Sequence, residues 1–109
     1  MPNVYRVLGQ SDPGAAVLTD CYTVPALTQA VVSSIIICNR SAIDDSFRLS
    51  IAVAGAGDSL EQYIAYDVPI PGNDVVDFTI GATLGAADVV RVFSLNGSLS
   101  FNVFGEELS

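Results

Sequence analysis

The sequence contains no histidine, no lysine and no tryptophan, and it has only two cysteines. Histidine is the usual general base and metal ligand near neutral pH, so its absence excludes Ser-His-Asp and Cys-His catalysis. The absence of lysine removes the phosphate-binding loop of nucleotide hydrolases, and two cysteines alone cannot complete a zinc site. We therefore expect a protein that is not an enzyme, with no catalytic, cofactor-binding or metal-binding residues and no cofactor.

The two cysteines, Cys21 and Cys38, are too few for a scaffold built on disulfides. They fall in neighbouring predicted strands, so a bond between them is geometrically possible. Residues 1–10 contain Arg6 and no long apolar segment, so we expect no signal peptide and a protein made in the cytosol. Thiols stay reduced there, and we favour two free, buried cysteines that pack as small hydrophobic side chains.

The charge is strongly one-sided, with twelve acids against four arginines and a net charge of −8. This charge argues against binding to nucleic acid or to an anionic membrane, because both would repel the protein. We favour solubility as its main role, with docking on a basic partner or cation binding as the alternatives. Half of the residues are hydrophobic and the mean hydropathy is +0.50, which favours apolar surface that a partner covers.

The segment from Thr28 to Arg40 is the longest β-prone run in the chain. Its β-branched residues disfavour a helix, and Thr28 to Cys38 is too short to cross a bilayer as a helix. Alternation places Val31, Ser33, Ile35 and Ile37 on one face and Val32, Ser34, Ile36 and Cys38 on the other. Since both faces are largely apolar, we expect a central strand that is covered on both sides.

Shorter alternating segments surround this run, and turns separate them every eight to fifteen residues. We predict an all-β fold, a two-sheet antiparallel sandwich of about eight strands in a single domain over residues 1–109. A jelly roll and an immunoglobulin-like order both remain open. We also expect a strand break at Pro69–Gly72, a type I′ hairpin at Asn96-Gly97 and an acidic tail at Glu106-Glu107. The predicted strands are 4–8, 16–24, 28–40, 46–54, 60–68, 74–80, 88–95 and 98–104.

Few side chains stand out as candidates for chemistry. Calcium prefers the oxygen ligands that collect in turns, but solvated loop acids are the reading we favour for Asp12, Asp44, Asp45 and Asp58. A carboxylate pair for glycoside hydrolysis, such as Asp74 and Asp77, has little room for a sugar cleft in a chain this short. We interpret the glycines at 55–57 as a hairpin tip and not as a phosphate cradle, because no helix follows them. Arg48 and Arg91 suit cross-strand ion pairs or a partner-facing sheet. The four tyrosines suit a half-buried core or an interface, and we favour the core for Tyr5, Tyr22, Tyr63 and Tyr66.

Five segments of the chain form a recognisable ordered set. They are VLGQ (7–10), CYTVPALTQAVVSSIIICNRS (21–41), FRLSIAVAGAG (47–57), QYIAYDVPIPGND (62–74) and FNVFGEEL (101–108). Taken in this order, they resemble a group of small virion proteins of tailed phages. The resemblance covers most of the chain and implies an accessory structural component of the particle, either a capsid cement or decoration protein or a small tail or baseplate part. It carries no catalytic motif and therefore assigns no site residue.

The resemblance implies a capsid cement protein that bridges subunits of the major capsid protein and stabilises the phage head. Its location would be the virion, after synthesis in the cytoplasm of the host bacterium. Such proteins often act as symmetric homo-oligomers, and a trimer is one option. The alternatives are a tail or baseplate component, with tail proteins as partners, and a module that binds host glycans through Tyr63 or Tyr66.

Overall fold

The structure, a computed structural model, describes residues 3–108 of the chain. Eight strands and two short 3-10 turns make up its regular elements, which confirms the all-β prediction. The strands are β1 (Asn3–Ser11), β2 (Thr19–Thr23), β3 (Gln29–Asn39), β4 (Asp45–Ala52), β5 (Tyr63–Ile70), β6 (Val75–Leu84), β7 (Val89–Ser94) and β8 (Leu99–Leu108).

The strands form two antiparallel sheets packed face to face. The first sheet has the order β1-β8-β3-β6, and the second has the order β2-β7-β4-β5. This order results when a long hairpin that pairs β1 with β8 and β2 with β7 is rolled into two layers, and it is the jelly roll. An immunoglobulin-like sandwich would pair the first two strands in one sheet, whereas here they lie in different sheets. The immunoglobulin-like alternative is therefore wrong.

The connections collect at two ends of a body that measures 45 × 27 × 19 Å. At one end, here called the terminal end, lie the connections 24–28, 53–62 and 85–88, together with the start of β1 and the end of β8. The opposite end holds the connections 12–18, 40–44, 71–74 and 95–98. Backbone hydrogen bonds join connections within each end, for example from Ala87 to Val24 and from Asn73 to Ser41.

A single cluster of apolar side chains fills the space between the sheets. Phe47 of β4 meets two rings of the first sheet edge-on, with centroid distances of 5.7 Å to Phe78 and 6.4 Å to Phe101. The predicted inward face of β8, Leu99, Phe101 and Val103, is fully buried. Edge-on packing suits the ring quadrupoles and adds to the hydrophobic contribution of the buried area.

The segment that the sequence marks as central is β3, and it does lie inside the first sheet, between β8 and β6. Its predicted faces need correction. Ala30 and Val32 point into the core before Ser33, and Ile35 and Ile37 point into it afterwards. The pairing register shifts at Ser33, so the inward side changes from even to odd positions. Both faces therefore look apolar in sequence although only one face of the strand packs on the core.

The Asn96-Gly97 dipeptide does not form the predicted hairpin. It connects β7 of the second sheet to β8 of the first. A type I′ turn needs positive φ at both central residues, and of these two residues only Gly97 has it, at 78°. The prediction of a turn at this dipeptide is therefore confirmed, but the turn connects the two sheets and does not join neighbouring strands of one sheet.

Five strands end two or more residues from the predicted position. β1 runs to Ser11 and β6 to Leu84, beyond the predicted ends at 8 and 80, and β2 begins only at Thr19. β5 continues through Pro69 to Ile70, which is tolerated because β5 is an edge strand and proline lacks only the ladder N–H. β8 runs to Leu108, so Glu106 and Glu107 belong to a strand and not to a tail. β4 ends at Ala52, and the glycines at 55 and 57 lie in a connection built around two 3-10 turns.

Candidate docking groove

The pairing register shifts on both sides of β8, and the two shifts lie close together along the first sheet. Where Phe104 and Val103 of β8 are consecutive partners for β1, β1 inserts one extra residue, Leu8. On the other side of β8, β3 inserts Ser33 opposite Phe104 and Gly105. Its hydroxyl donates a hydrogen bond to the Phe104 carbonyl at 3.1 Å. Bulges bend and twist a strand, so two aligned bulges bend the sheet along one row.

Gly105 is the residue that permits this bend. A Cβ atom at this position would lie 2.0 Å from the Val31 carbonyl oxygen and 3.0 Å from the Leu8 side chain. No such contact is possible, so only glycine allows β3 to approach β8 this closely. On the other side of β3, Ile80 and Gly81 of β6 lie opposite the bulge at Ser33. Gly81 has a positive φ of 60°.

The bend leaves an open groove of about 460 Å³ on the outer face of the first sheet, towards the terminal end. β1, β8 and β3 line it, and its apolar lining residues are Tyr5, Val7, Val31 and Phe104. Arg6, Ser33, Gly105 and Glu106 complete the lining. Tyr5 is 79% exposed and Val7 is 45% exposed. A groove whose walls are mostly apolar and partly exposed can bury a partner's apolar side chains.

Glu106 lies in the middle of this surface. It pairs with Tyr5 on one side and with Val31 on the other, so the three side chains form one row across β1, β8 and β3. The four arginines of the chain each pair with another acid. The pairs are Arg6–Glu107 at 3.0 Å, Arg40–Asp12 at 2.7 Å, Arg48–Asp67 at 2.6 Å and Arg91–Asp20 at 3.0 Å. Within residues 3–108, Glu106 therefore has no cationic partner.

The outer face of the second sheet carries the ion pairs that the sequence predicts. Arg91 pairs with Asp20 directly across β7 and β2, and it also donates hydrogen bonds to the carbonyls of Gly55 and Ala56. This second contact holds the 53–62 connection against the sheet. Cross-strand pairing is thus confirmed as the role of Arg91.

Arg48 is packed between aromatic rings on the same face. Its guanidinium carbon lies 4.2 Å from the centre of the Tyr66 ring and 4.4 Å from that of Phe93. Tyr63 meets Tyr66 edge-on at 5.0 Å. The stacked guanidinium therefore covers one face of Tyr66, which would otherwise be a platform for a sugar ring.

The structure does not bring the calcium candidates together. Asp12 is ion-paired with Arg40, Asp44 accepts a hydrogen bond from the Gly72 amide, and Asp58 accepts one from the Tyr63 hydroxyl at the other end of the sandwich. Residues 3–108 hold no group of three or more His, Cys, Asp or Glu side chains that could bind a metal ion.

Asp45, the fourth candidate, is 5% exposed and works inside the fold. One carboxylate oxygen accepts from the amides of Ser46 and Asn96, and the other accepts from the hydroxyls of Ser94 and Ser98. Burial by itself would raise the pKa of Asp45, but these four donors hold it below its usual value. The carboxylate ties the start of β4 to the β7–β8 connection, and no signal in the sequence distinguishes it from its exposed neighbour Asp44.

The two cysteines are free and lie in different sheets. Cys21 is half-buried in β2, and burial raises the pKa of its thiol to about 11. Cys38 is exposed on β3, so the prediction that both are buried is wrong for Cys38. The register shift at Ser33 changes which residues of β3 face the core, and it places this thiol outside.

The terminal end combines one partly buried polar contact with exposed apolar side chains. Tyr22 donates to Glu107 at 2.6 Å, and Arg6 pairs with the other oxygen of that carboxylate. The connections of this end also expose large apolar residues, among them Leu27 at 94%, Leu60 at 80% and Val53 at 70%. Of the four tyrosines, Tyr22 is buried and Tyr63 is half-buried, whereas Tyr5 and Tyr66 are exposed, so the core prediction is wrong for these two.

These features define the class of the protein as a jelly-roll sandwich with a largely apolar groove on the outer face of one sheet. No protein-family model and no curated protein matches the sequence. Among residues 3–108 no helix is long and apolar enough to cross a membrane.

Proposed function

We propose that the protein is a non-enzymatic structural component of a phage virion and acts as a capsid cement protein that bridges subunits of the major capsid protein. The ordered segments that resemble small virion proteins support this proposal. The jelly roll supports it as well, since viral capsid and lectin domains often have this architecture.

The observation that carries the proposal is the apolar surface at the terminal end. Leu27, Leu60 and Val53 are each at least 70% exposed in the connections there, whereas the opposite end has one side chain this exposed, Ile43 at 72%. Large apolar side chains with this exposure can mark a surface that a partner covers. Burying such side chains against another protein contributes about 25 cal/mol for each Å² of apolar area removed from water, and the entropic cost of association offsets part of this gain.

The groove on the first sheet gives the protein a second contact surface on the side of the same body. Two surfaces that face different directions can engage two neighbouring subunits at once. Once one surface is bound, the other surface is held near its own binding site, which raises its effective concentration there. On a repeated lattice, many such pairs of contacts raise the overall affinity further. Bridging of this kind resists separation of the subunits without any chemical step.

The direct test is the composition of purified particles. Quantitative mass spectrometry on separated heads and tails should find this chain in heads, at a copy number comparable to that of the major capsid protein. Absence from heads would refute the cement proposal, and a few dozen copies confined to tails would establish the tail or baseplate alternative instead.

A substitution pair tests which surface binds. Leu60→Asp places a charge at the terminal end, whereas Leu95→Asp makes the same change at an exposed leucine of the opposite end. Added to particles that lack the protein, the Leu60→Asp variant should bind weakly and fail to protect heads from heat, while the Leu95→Asp variant should behave like the wild type. Equal binding by both variants would contradict the role of the terminal end.

The glycan-binding alternative has less support from the geometry, because Arg48 already covers one face of Tyr66. A glycan array is its test, and specific binding that is lost in Tyr66→Ala would establish it. A homo-oligomer remains part of the proposal, and light scattering on the purified protein measures the number of copies.

A further inference from the structure

We propose that the groove on the first sheet binds an extended apolar segment of a partner protein, and that a lysine or arginine in the middle of this segment pairs with Glu106. The inference rests on the proposed adhesive function and specifies the chemistry of one of its contacts. It does not depend on whether the partner is a head or a tail protein.

The walls of the groove select apolar side chains. Tyr5 and Val7 of β1 and Phe104 of β8 present partly exposed apolar surface, and Val31 of β3 completes the row. Adjacent side chains on the face of a sheet are separated by about 5 to 7 Å, which matches the spacing of alternate side chains in an extended peptide. An extended segment can therefore place successive apolar side chains between these residues.

The carboxylate of Glu106 specifies the charge in the middle. A partner that covers the groove takes this carboxylate out of water, and an unpaired carboxylate in an apolar contact is strongly unfavourable. All four arginines of the chain are ion-paired with other acids. Of these arginines only Arg6 lines the groove, and it is already paired with Glu107 at 3.0 Å. A cation that neutralises Glu106 and leaves this pair intact therefore comes from the partner.

The same count of charges disfavours a second copy of this chain as the occupant. A second copy carries a net charge of −8 as well, and each of its arginines would have to leave an existing ion pair to reach Glu106. The chain's acidity also steers basic partners towards it. A basic, apolar segment of a different protein is thus the occupant that the charges favour.

The test uses three synthetic nine-residue peptides that alternate threonine with valine or leucine and differ only at the central residue, which is lysine, glutamine or glutamate. We expect the lysine peptide to bind about tenfold more tightly than the glutamate peptide in low salt. The difference should shrink as salt is added. In amide NMR spectra, the signals of Val31, Phe104 and Gly105 should shift most on binding.

Glu106→Lys provides the decisive variant because it should reverse the preference, so that the glutamate peptide binds better. Asp77→Lys is its matched control, since it makes the same change of charge at an exposed position of the same sheet, opposite Ile36 and outside the groove. The control should keep the preference for lysine, and circular dichroism checks that both variants are folded.

Three results would overturn the inference: equal binding of the three peptides, equal effects of the two variants, or shifts that map to another surface. Concentration-dependent dimerisation that Glu106→Lys alone abolishes would also overturn it, because the occupant would then be a second copy. The proposed function can fail independently, since peptides can bind to a protein that is absent from particles, and a particle protein can ignore the peptides.

Discussion

Tyr22 in the second sheet donates a hydrogen bond to Glu107 in the first sheet, with 2.6 Å between the phenol oxygen and the carboxylate. The phenol is nearly buried, and burial together with the acceptor raises its pKa well above the usual value. Arg6 neutralises the same carboxylate from β1. The contact therefore joins the two layers at the end of the sandwich where the chain enters and leaves.

Tyr22→Phe should lower the free energy of unfolding by about 1 to 3 kcal/mol, because it removes a hydrogen bond to a charged, mostly buried acceptor. Urea denaturation at pH 7 measures the change. Tyr5→Phe is the control, since Tyr5 is 79% exposed, and it should change the stability by less than about 0.5 kcal/mol. Equal effects of the two substitutions would show that the contact between the sheets contributes nothing.

Gly105→Ala should destabilise the protein by about 1 to 3 kcal/mol, because the added methyl group has no room against the Val31 carbonyl. Gly57→Ala is the matched control. Apart from Gly57 and its two chain neighbours, no heavy atom lies within 4 Å of a Cβ placed there, so the substitution should be neutral or slightly stabilising. Thermal unfolding of both variants measures the change in melting temperature. If Gly105→Ala kept the wild-type melting temperature, the bend in the first sheet could not depend on this close approach.

The alternation of apolar residues predicts most strands and their inward faces wherever the ladder is regular. It is correct for Leu99, Phe101 and Val103, which lie in the regular part of β8. It fails at Ser33, because a bulge changes the parity of the strand and no residue type announces it. Backbone pairing with two neighbouring strands determines that shift, and a single segment carries no information about its neighbours.

The sequence also does not show which distant strands pair with each other. Asn96-Gly97 has the local preferences of a hairpin, yet its two strands find partners in different sheets. The groove depends on three strands that are far apart in sequence, so residues such as Val31 and Glu106 stand together only after folding. By contrast, the ion pair of Arg91 could be expected, because an outward arginine in mid-strand needs a cross-strand acid.

The two thiols should react at very different rates. Cys38 is exposed, whereas Cys21 is half-buried with its pKa raised to about 11, and only the thiolate reacts. With iodoacetamide at pH 8, mass spectrometry should find one alkyl group per chain quickly and the second only after unfolding. In Cys38→Ser the fast reaction should disappear. A fast reaction that persists in this variant would place Cys21 at the surface.

Asp45 should make the stability sensitive to acid. Its pKa is lowered in the folded state from a reference value of 3.8, so its contribution is present above about pH 4 and is lost as the pH falls through the folded value. In Asp45→Asn the amide cannot accept all four hydrogen bonds, and we expect a loss of about 1 to 3 kcal/mol at pH 7.

Other acids also titrate between pH 7 and pH 2, so the difference between two proteins isolates Asp45. Urea denaturation of the wild type and of Asp45→Asn should give free energies of unfolding that converge as the pH approaches 2, because the wild type loses this contribution and the variant has none to lose. Asp77→Asn, which removes an exposed acid, should follow the wild type throughout. The difference in free energy of unfolding between the wild type and Asp45→Asn could instead stay constant with pH. In that case the shape of the side chain, and not its charge, would stabilise the end that holds the connections 40–44 and 95–98.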